Sequence, residues 1–392
     1  MQSKRRNTRR IKIIAIIISL AMLCSVSVIY AVAEEANKYP TLNLDCRSAL
    51  LMEAETGKIL YANNENEALP PASVTKVMTL LLVMEALESK KIALTDMVAA
   101  SEHACSMGGS QIYLEVGEQM SVEDLLKSVV IASANDAAVT LAEYIAGTED
   151  AFVEMMNKKA AELGMKNTNF ENTNGLDDTT QNHVTSAMDI AIMSRELIKY
   201  KKITEYSSIW MDTVRNGEFG LTNTNRLIRF YKGATGLKTG STSKAGFCIT
   251  ATAERDGMTL IAVIMASPSR DARNASAVSL LNYGFSNFAL YRDAECAGES
   301  VKVINGVENT CSTVKEGFVA VVPKSSIGQV EKVCEISQEI SAPVKIGDEV
   351  GKVQYTLNGE ELGSVRVLAN KEIKQLNFFD ILIRIIAKMV LK

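Results

Sequence analysis

From Pro71 to Leu87 the chain reads Pro-Ala-Ser-Val-Thr-Lys and then Val-Met-Thr-Leu-Leu-Leu-Val-Met-Glu-Ala-Leu, an apolar helical pattern that a fold has to bury. Pro71 biases its predecessor away from helix, so the chain should arrive extended and then turn into the helix. That places Ser73 at or near the N-cap, where backbone N–H groups and the helix dipole favour negative charge. Lys76 lies three residues on, so its side chain should rise on the same face as Ser73. A hydroxyl beside an amine at a helix N-terminus is what a Ser-Lys nucleophile needs. A capped helix start followed by a solvated Lys reads the same way, so the rest of the chain has to decide.

The N-terminal segment speaks about compartment. Lys4, Arg5, Arg6, Arg9, Arg10 and Lys12 precede an apolar run from Ile13 to Val32, and Ala31-Val32-Ala33 follows. A charged stretch, an apolar stretch and an A-x-A site fit a secretory signal peptide over residues 1–33, or an uncleaved membrane anchor. Its removal takes away six basic residues and changes the formal charge from −4 to about −10. An acidic mature chain argues against nucleic-acid binding. Cys46, Cys105, Cys248, Cys296, Cys311 and Cys334 then remain, scattered and without a C-x-x-C pair. Cys311 with Cys334 is the first disulfide to test, and buried free thiols are the other reading. The two histidines, His103 and His183, form no H-E-x-x-H or Cys/His cluster, so a zinc hydrolase is not expected.

Along the chain, residues 48–54 and 59–62 predict a hairpin around Glu55-Thr56-Gly57-Lys58. Residues 90–113 are loop-rich, and Glu102, His103 and Cys105 there read as structural. Ser121-Val-Glu-Asp124 opens a helix expected over 122–131. Ala132-Ser133-Ala134-Asn135 interrupts it, and a second helix runs from Asp136 towards Ile145. This leaves Ser133 and Asn135 on a tight connection. Thr185 is expected to cap a helix from Ser186 to about Tyr200, with His183 structural ahead of it. Gly246–Glu254 and Thr259–Ala266 predict a second hairpin, its turn signalled by Asp256-Gly257. Lys238-Thr239-Gly240 falls just ahead of it or on an edge strand beside it, and Gly240 lets another backbone or a ligand approach closely.

After about Ser286 short β-rich runs take over, including 301–304, 318–322, 330–336, 351–357 and 363–368, which predicts a small all-β domain. The final segment sets Phe378, Phe379, Ile381, Leu382, Ile385, Ile386, Met389 and Val390 against Asp380, Arg384, Lys388 and Lys392. That is an amphipathic helix with a cationic polar face, too interrupted to span a bilayer and suited to a membrane surface.

Ser73-x-x-Lys76, Ser133-x-Asn135 and Lys238-Thr239-Gly240 occur in the order of the S-x-x-K, S-x-N and K-T-G elements of penicillin-interacting serine acyl transferases. Asn225-Arg-Leu, Asn174-Gly-Leu, Thr185-Ser-Ala-Met-Asp, Leu281-Asn-Tyr-Gly-Phe285 and Ala342-Pro-Val-Lys-Ile-Gly347 extend the likeness over about residues 40 to 372. The chain resembles the D-alanyl-D-alanine carboxypeptidases, the low-molecular-weight penicillin-binding proteins of the S11 peptidase type. The resemblance implies Ser73 as nucleophile, Lys76 as base, Ser133 as proton relay and Asn135 as the group that orients Lys76 or the substrate amide. It implies Lys238 and Thr239 as holders of the substrate carboxylate, with Arg273 as a further contact. The oxyanion would sit on the backbone N–H groups of Ser73 and of Ser241, where the family often has His. No metal or organic cofactor is implied. The implied partners are D-Ala-D-Ala pentapeptide stems, β-lactams as inhibitors and a membrane surface, with an exported location on the outer face of the cytoplasmic membrane.

The expected layout is therefore an α/β (α+β) penicillin-binding/β-lactamase-like domain over 34–290, an antiparallel sheet flanked by helices. An all-β domain follows over 291–372, and an anchoring helix over 373–392. Lys76 must be neutral to accept a proton, so burial and a nearby cation should depress its pKa, and the resemblance implies Lys238 as that cation. A class A-like β-lactamase would need an E-x-x-L-N loop, and Glu218-Phe-Gly-Leu221-Thr-Asn223 is one residue out of register. A D,D-endopeptidase would run the same chemistry on a cross-link, and an inactive peptidoglycan-binding scaffold would keep the fold without turnover.

Overall fold

The computed structural model describes residues 40 and 42–390. The expected signal peptide and Lys392 lie outside the described residues.

A five-stranded antiparallel sheet forms the centre. Its strands are β1 (Ser48–Glu53), β2 (Ile59–Asn63), β3 (Ala234–Thr242), β4 (Gly246–Arg255) and β5 (Met258–Ser267), in the order β2-β1-β5-β4-β3. All six residues of β1 are buried, because both faces of the sheet are covered. Leu50 and Met52 face one side with Ile261 and Val263, against helix Ala187–Leu197. Leu51 and Leu260 face the other, where helix Arg270–Asn287 packs so closely that a side chain at Gly284 would strike both. β3 is one of the two edge strands, pairing Lys238 with Thr250 and Gly240 with Cys248.

Helix α1 (Lys76–Glu88) is buried from Lys76 to Met84 without a break. Each such Leu or Val contributes roughly 1.5–3 kcal/mol. Ser73 is not its N-cap. Ala72–Thr75 form a 3-10 turn ahead of it, with no side-chain cap, and the α-helix begins at Lys76. The expected helix from Val122 ends earlier too, as α2 (Val122–Lys127). Ser128–Ala132 then widen into a π turn, and α3 (Asn135–Ala146) follows. Ser186, not Thr185, caps Ala187–Leu197, accepting from the N–H of Asp189.

The β-rich region has its own apolar cluster around Tyr355, which stacks on Phe318 with ring centroids 3.8 Å apart. It meets the sheet region through Lys58, whose Nζ donates to the Val321 carbonyl at 3.0 Å, and through the Arg292–Glu55 ion pair. Cys311 and Cys334 are not bonded. Cys311 is buried with its thiol towards the Lys371 carbonyl, while Cys334 is exposed, and all six described cysteines are free. Helix α4 (Phe378–Val390) closes the described chain.

Candidate active site

Three elements converge on the Lys76 amine. Its Nζ lies 3.0 Å from Ser73 Oγ, 2.5 Å from Asn135 Oδ1 and 2.8 Å from the Asn174 carbonyl. The side chain is fully buried. Burial first, and then the charge of Lys238, hold its pKa well below the usual lysine value. A neutral amine has two N–H groups and one lone pair. Asn135 Oδ1 and the Asn174 carbonyl can only accept, so they take both protons. The lone pair is left facing Ser73, whose hydroxyl can donate to it. This is the geometry of a general base on a nucleophile.

The second half of the site comes from the loop before α3 and from β3. Ser133 is in the left-handed region at φ 65°, imposed by the π turn before it. Lys238 Nζ donates to Ser133 Oγ at 2.8 Å and to the Thr239 carbonyl at 3.0 Å. Burial and the charge of Arg273 bring the Lys238 amine down to about 7. Thr239 Oγ1 donates to Thr224 Oγ1 at 2.9 Å. Arg273 is buried, reaching the Cys248 carbonyl at 3.4 Å and the Asn274 side chain at 2.8 Å. A cleft of about 610 Å³ is lined by Ser73, Ser133, Thr239, Gly240, Ser241 and Arg273 together. A second cavity, of about 470 Å³, lies by Glu53, Arg195 and Glu254 and holds no paired hydroxyl and amine.

Gly240 fixes how close β3 comes to the nucleophile. A Cβ there would stand 2.7 Å from Ser73 N and 2.9 Å from Val74 N. The absence of a side chain lets the strand and its following N–H, that of Ser241, lie against the turn that carries Ser73. Two backbone N–H groups beside a nucleophilic oxygen are an oxyanion hole in outline.

Several residues of the site carry no sequence signal for their part in it. The Asn174 group is a backbone carbonyl, although Asn174-Gly-Leu reads as a motif. Gly175, at φ 84°, lies so close to Ala72 that a Cβ would overlap its carbonyl. Asp136 is buried and accepts from the N–H groups of Ile112 and Leu114, holding the 108–114 loop. That loop in turn fixes Asn135, whose Nδ2 donates to the Gly108 carbonyl at 2.6 Å. His183 sits behind Ser73. Its Nδ1 accepts from Glu171 N, so Nε2 carries the proton and donates to Thr75 Oγ1, which donates to the Ala72 carbonyl.

A buried amine of depressed pKa on a serine, a second lysine on an edge strand and a backbone pocket define a serine acyl-transferring hydrolase on a penicillin-binding-protein fold. Residues 33–269 match the D-alanyl-D-alanine carboxypeptidase family, Peptidase S11, and residues 285–375 match the penicillin-binding protein 5 C-terminal domain. The chain belongs to that serine D-Ala-D-Ala carboxypeptidase family. It is 42% identical to the D-alanyl-D-alanine carboxypeptidase DacF of Bacillus subtilis over 90% of this chain and 92% of that one. Penicillin-binding protein 5 from Haemophilus influenzae superimposes with a TM-score of 0.76 at 32% identity, covering 86% of this chain and 99% of its own. Penicillin-binding protein D2 from Listeria monocytogenes, solved with ampicillin bound, gives 0.58 at 31% identity over 63% of this chain and 100% of its own.

Proposed function

We propose that the protein removes the terminal D-alanine from peptidoglycan pentapeptide stems through an acyl-enzyme on Ser73. The observation that carries this is the three-way coordination of Lys76, which leaves its lone pair on the Ser73 hydroxyl. Lys76 takes the Ser73 proton as Oγ bonds to the carbonyl carbon of the penultimate D-alanine. The backbone N–H groups of Ser73 and Ser241 hold the resulting oxyanion. Ser133 passes a proton to the leaving amine as the C–N bond breaks, and D-alanine departs. Water then attacks the ester carbonyl, gives its proton to the base, and releases the tetrapeptide and Ser73. Asn135 keeps Lys76 oriented. Lys238, Thr239 and Arg273 hold the terminal carboxylate, and Lys238 gains charge as the carboxylate arrives.

The membrane role rests on α4. Arg384 donates to the Gly306 carbonyl at 3.1 Å and to the Val307 carbonyl at 2.6 Å, so a polar side chain docks the helix on the β region. Phe378, Phe379, Ile383 and Met389 point outward and are 65–75% exposed. An apolar face turned to solvent beside a docked polar one suits the headgroup boundary of a bilayer. Among the described residues no helix is long and apolar enough to cross a membrane. With the N-terminal segment read as a signal peptide, the protein would be exported and held on the outer face of the cytoplasmic membrane.

Labelling tests the chemistry. The purified protein should take up fluorescent penicillin covalently and release D-alanine from diacetyl-Lys-D-Ala-D-Ala. Ser73→Ala should do neither, and equal labelling of that variant would overturn the assignment.

A further inference from the structure

Thr173 precedes the residue whose carbonyl takes a proton from Lys76, and all of its own polar groups are engaged. It is fully buried. Its N–H donates to Glu149 Oε1 at 2.9 Å and its hydroxyl to the same oxygen at 2.7 Å. Its carbonyl accepts from Thr79 Oγ1 at 2.6 Å. Thr79 stands on α1 three residues after Lys76, so both side chains rise on one face of that helix. Thr173 is thereby pinned between α1 and the helix Glu149–Glu162, and Asn174 follows with its carbonyl 2.8 Å from Lys76 Nζ.

The rest of this loop is closed on itself. Asn172 Oδ1 accepts from Gly175 N, Asn174 Oδ1 accepts from Leu176 N, and Asn172 Nδ2 donates to the Leu176 carbonyl. Such bonds keep the loop's shape without fixing where it lies over α1. Among the described residues, no carboxylate other than Glu149 bonds to residues 172–176. Glu149 is not needed inward for the helix it begins. Thr148 caps that helix, accepting from Ala151 N, and the exposed Asp150 answers the dipole from the same first turn. The Glu149 side chain instead turns inward and is 13% exposed. Its other oxygen, Oε2, lies 2.8 Å from Nε2 of the half-exposed His103, and a carboxylate only accepts, so the histidine donates.

Resting on the reading of Lys76 as the base, we propose that Glu149 is a positioning residue for acylation. It holds Thr173, and through Thr173 the Asn174 carbonyl, in the place that takes one N–H of Lys76. The two bonds it accepts are charge-assisted, a class roughly twice as strong as neutral ones. Without them Thr173 keeps only Thr79, and the loop can shift over α1. Lys76 would then turn its released N–H elsewhere, and its lone pair would leave the Ser73 hydroxyl. A misplacement of about 1 Å in such a group costs about 10²-fold in rate. Holding the substrate carboxylate falls to Lys238, Thr239 and Arg273, which bond to other partners than Glu149 and Thr173.

The test is stopped-flow acylation of the full-length protein in mild detergent with fluorescent penicillin. It separates the dissociation constant of the initial complex from the acylation rate, and the burst amplitude counts active molecules. Glu149→Ala should slow acylation at least about ten-fold, with initial binding within about two-fold and a full burst. Glu149→Gln should recover the rate to within about three-fold of wild type, because the amide oxygen has two lone pairs for the same N–H and hydroxyl. His103→Ala should stay within about two-fold of wild type, since its bond is to the other oxygen. A purely structural Glu149 would lower the melting temperature and the burst while the remaining active molecules acylate at the wild-type rate, and that result would overturn the proposal. So would a weaker initial complex at an unchanged acylation rate, or a Gln variant as slow as the Ala one. Should Glu149→Ala not fold, Thr173→Val decides. It deletes the hydroxyl bond alone and should slow acylation about three-fold, and a wild-type rate there would overturn the proposal. If wild type takes up no penicillin, the acyl-enzyme reading itself fails and the proposal falls with it.

Discussion

Asn135 Oδ1 stands 2.5 Å from Lys76 Nζ, a neutral acceptor for an amine that has to be neutral. Replacing it with the isosteric carboxylate should recharge the lysine, because an opposite charge in contact raises a lysine pKa and offsets part of its burial. Asn135→Asp gives up the bond to the Gly108 carbonyl, so its melting temperature should fall by a few degrees, and it should acylate with penicillin about 10²-fold or more slowly at pH 7, recovering as the pH rises. Asn135→Ala removes the orientation without adding charge, so its slower acylation should keep the wild-type pH dependence. Stopped-flow labelling across pH separates the two, and identical profiles would show that Asn135 does not set the state of Lys76.

Gly240 is the contact on which the oxyanion pocket depends. A methyl at this position must displace either β3 or the Ser73 turn by several tenths of an ångström, since Ser73 N, Pro71 O and Val74 N all lie within 2.9 Å of it. Gly240→Ala should cost acylation about 10²-fold, on the scale of losing one oxyanion donor. The strand keeps its pairing with Cys248, so thermal unfolding should shift by a few degrees only. Full acylation in this variant would separate Gly240 from the pocket.

His183 gives the fold a pH dependence of known sign. Burial lowers its pKa from 6.5 to about 4, with Glu171 and Asp177 pulling the other way. The unfolded chain then binds the proton first as pH falls. Stability is full above about pH 6.5 and declines towards pH 4, by about 3 kcal/mol over that span. Protonation would also set a second N–H, on Nδ1, against that of Glu171, breaking that bond while Nε2 goes on donating to Thr75. Urea unfolding at pH 7.5 and 4.5 should show this loss, and His183→Gln should reduce it. Equal pH slopes in the two proteins would assign the acid sensitivity elsewhere.

The side chains of Ser73, Lys76, Ser133, Asn135, Lys238 and Thr239 were legible because each lies in a short motif whose spacing survives folding. The sheet was legible for a similar reason: two near-continuous apolar runs either side of the Asp256-Gly257 turn mark the hairpin next to β3. The finer geometry was not. Ser133 reaches its left-handed conformation through a π turn over Ser128–Ala132, and nothing in Ser-Val-Val-Ile-Ala distinguishes that turn from one more α-helical turn. Ser73 reads as a cap by residue type, yet it stands within a 3-10 turn because Ala72 and Gly175 press together there. The Asn174 carbonyl is a main-chain group, and side-chain patterns do not announce such groups. Trp210 and Phe230 meet edge to face with ring centroids 6.5 Å apart, yet lie far enough apart in sequence that neither signals the other.

The docking of Arg384 separates two roles for the terminal helix. If α4 only completed the β region, its apolar side chains would face Val303 and Ile373 rather than solvent. Instead Ile373 is fully buried in the cluster around Tyr355, and the helix is tied through Arg384 to the carbonyls of Gly306 and Val307. Deleting residues 378–392 should therefore leave penicillin labelling and the melting transition nearly unchanged. It should abolish sedimentation with vesicles containing anionic lipid, because burying several Phe and Ile side chains at about 1.5–3 kcal/mol each dominates such binding. Replacing Phe379 and Ile383 by Ser within the full chain should weaken binding without removing the helix. Undiminished vesicle binding by the truncated protein would place the attachment elsewhere, and a large fall in melting temperature would return the helix to a structural role.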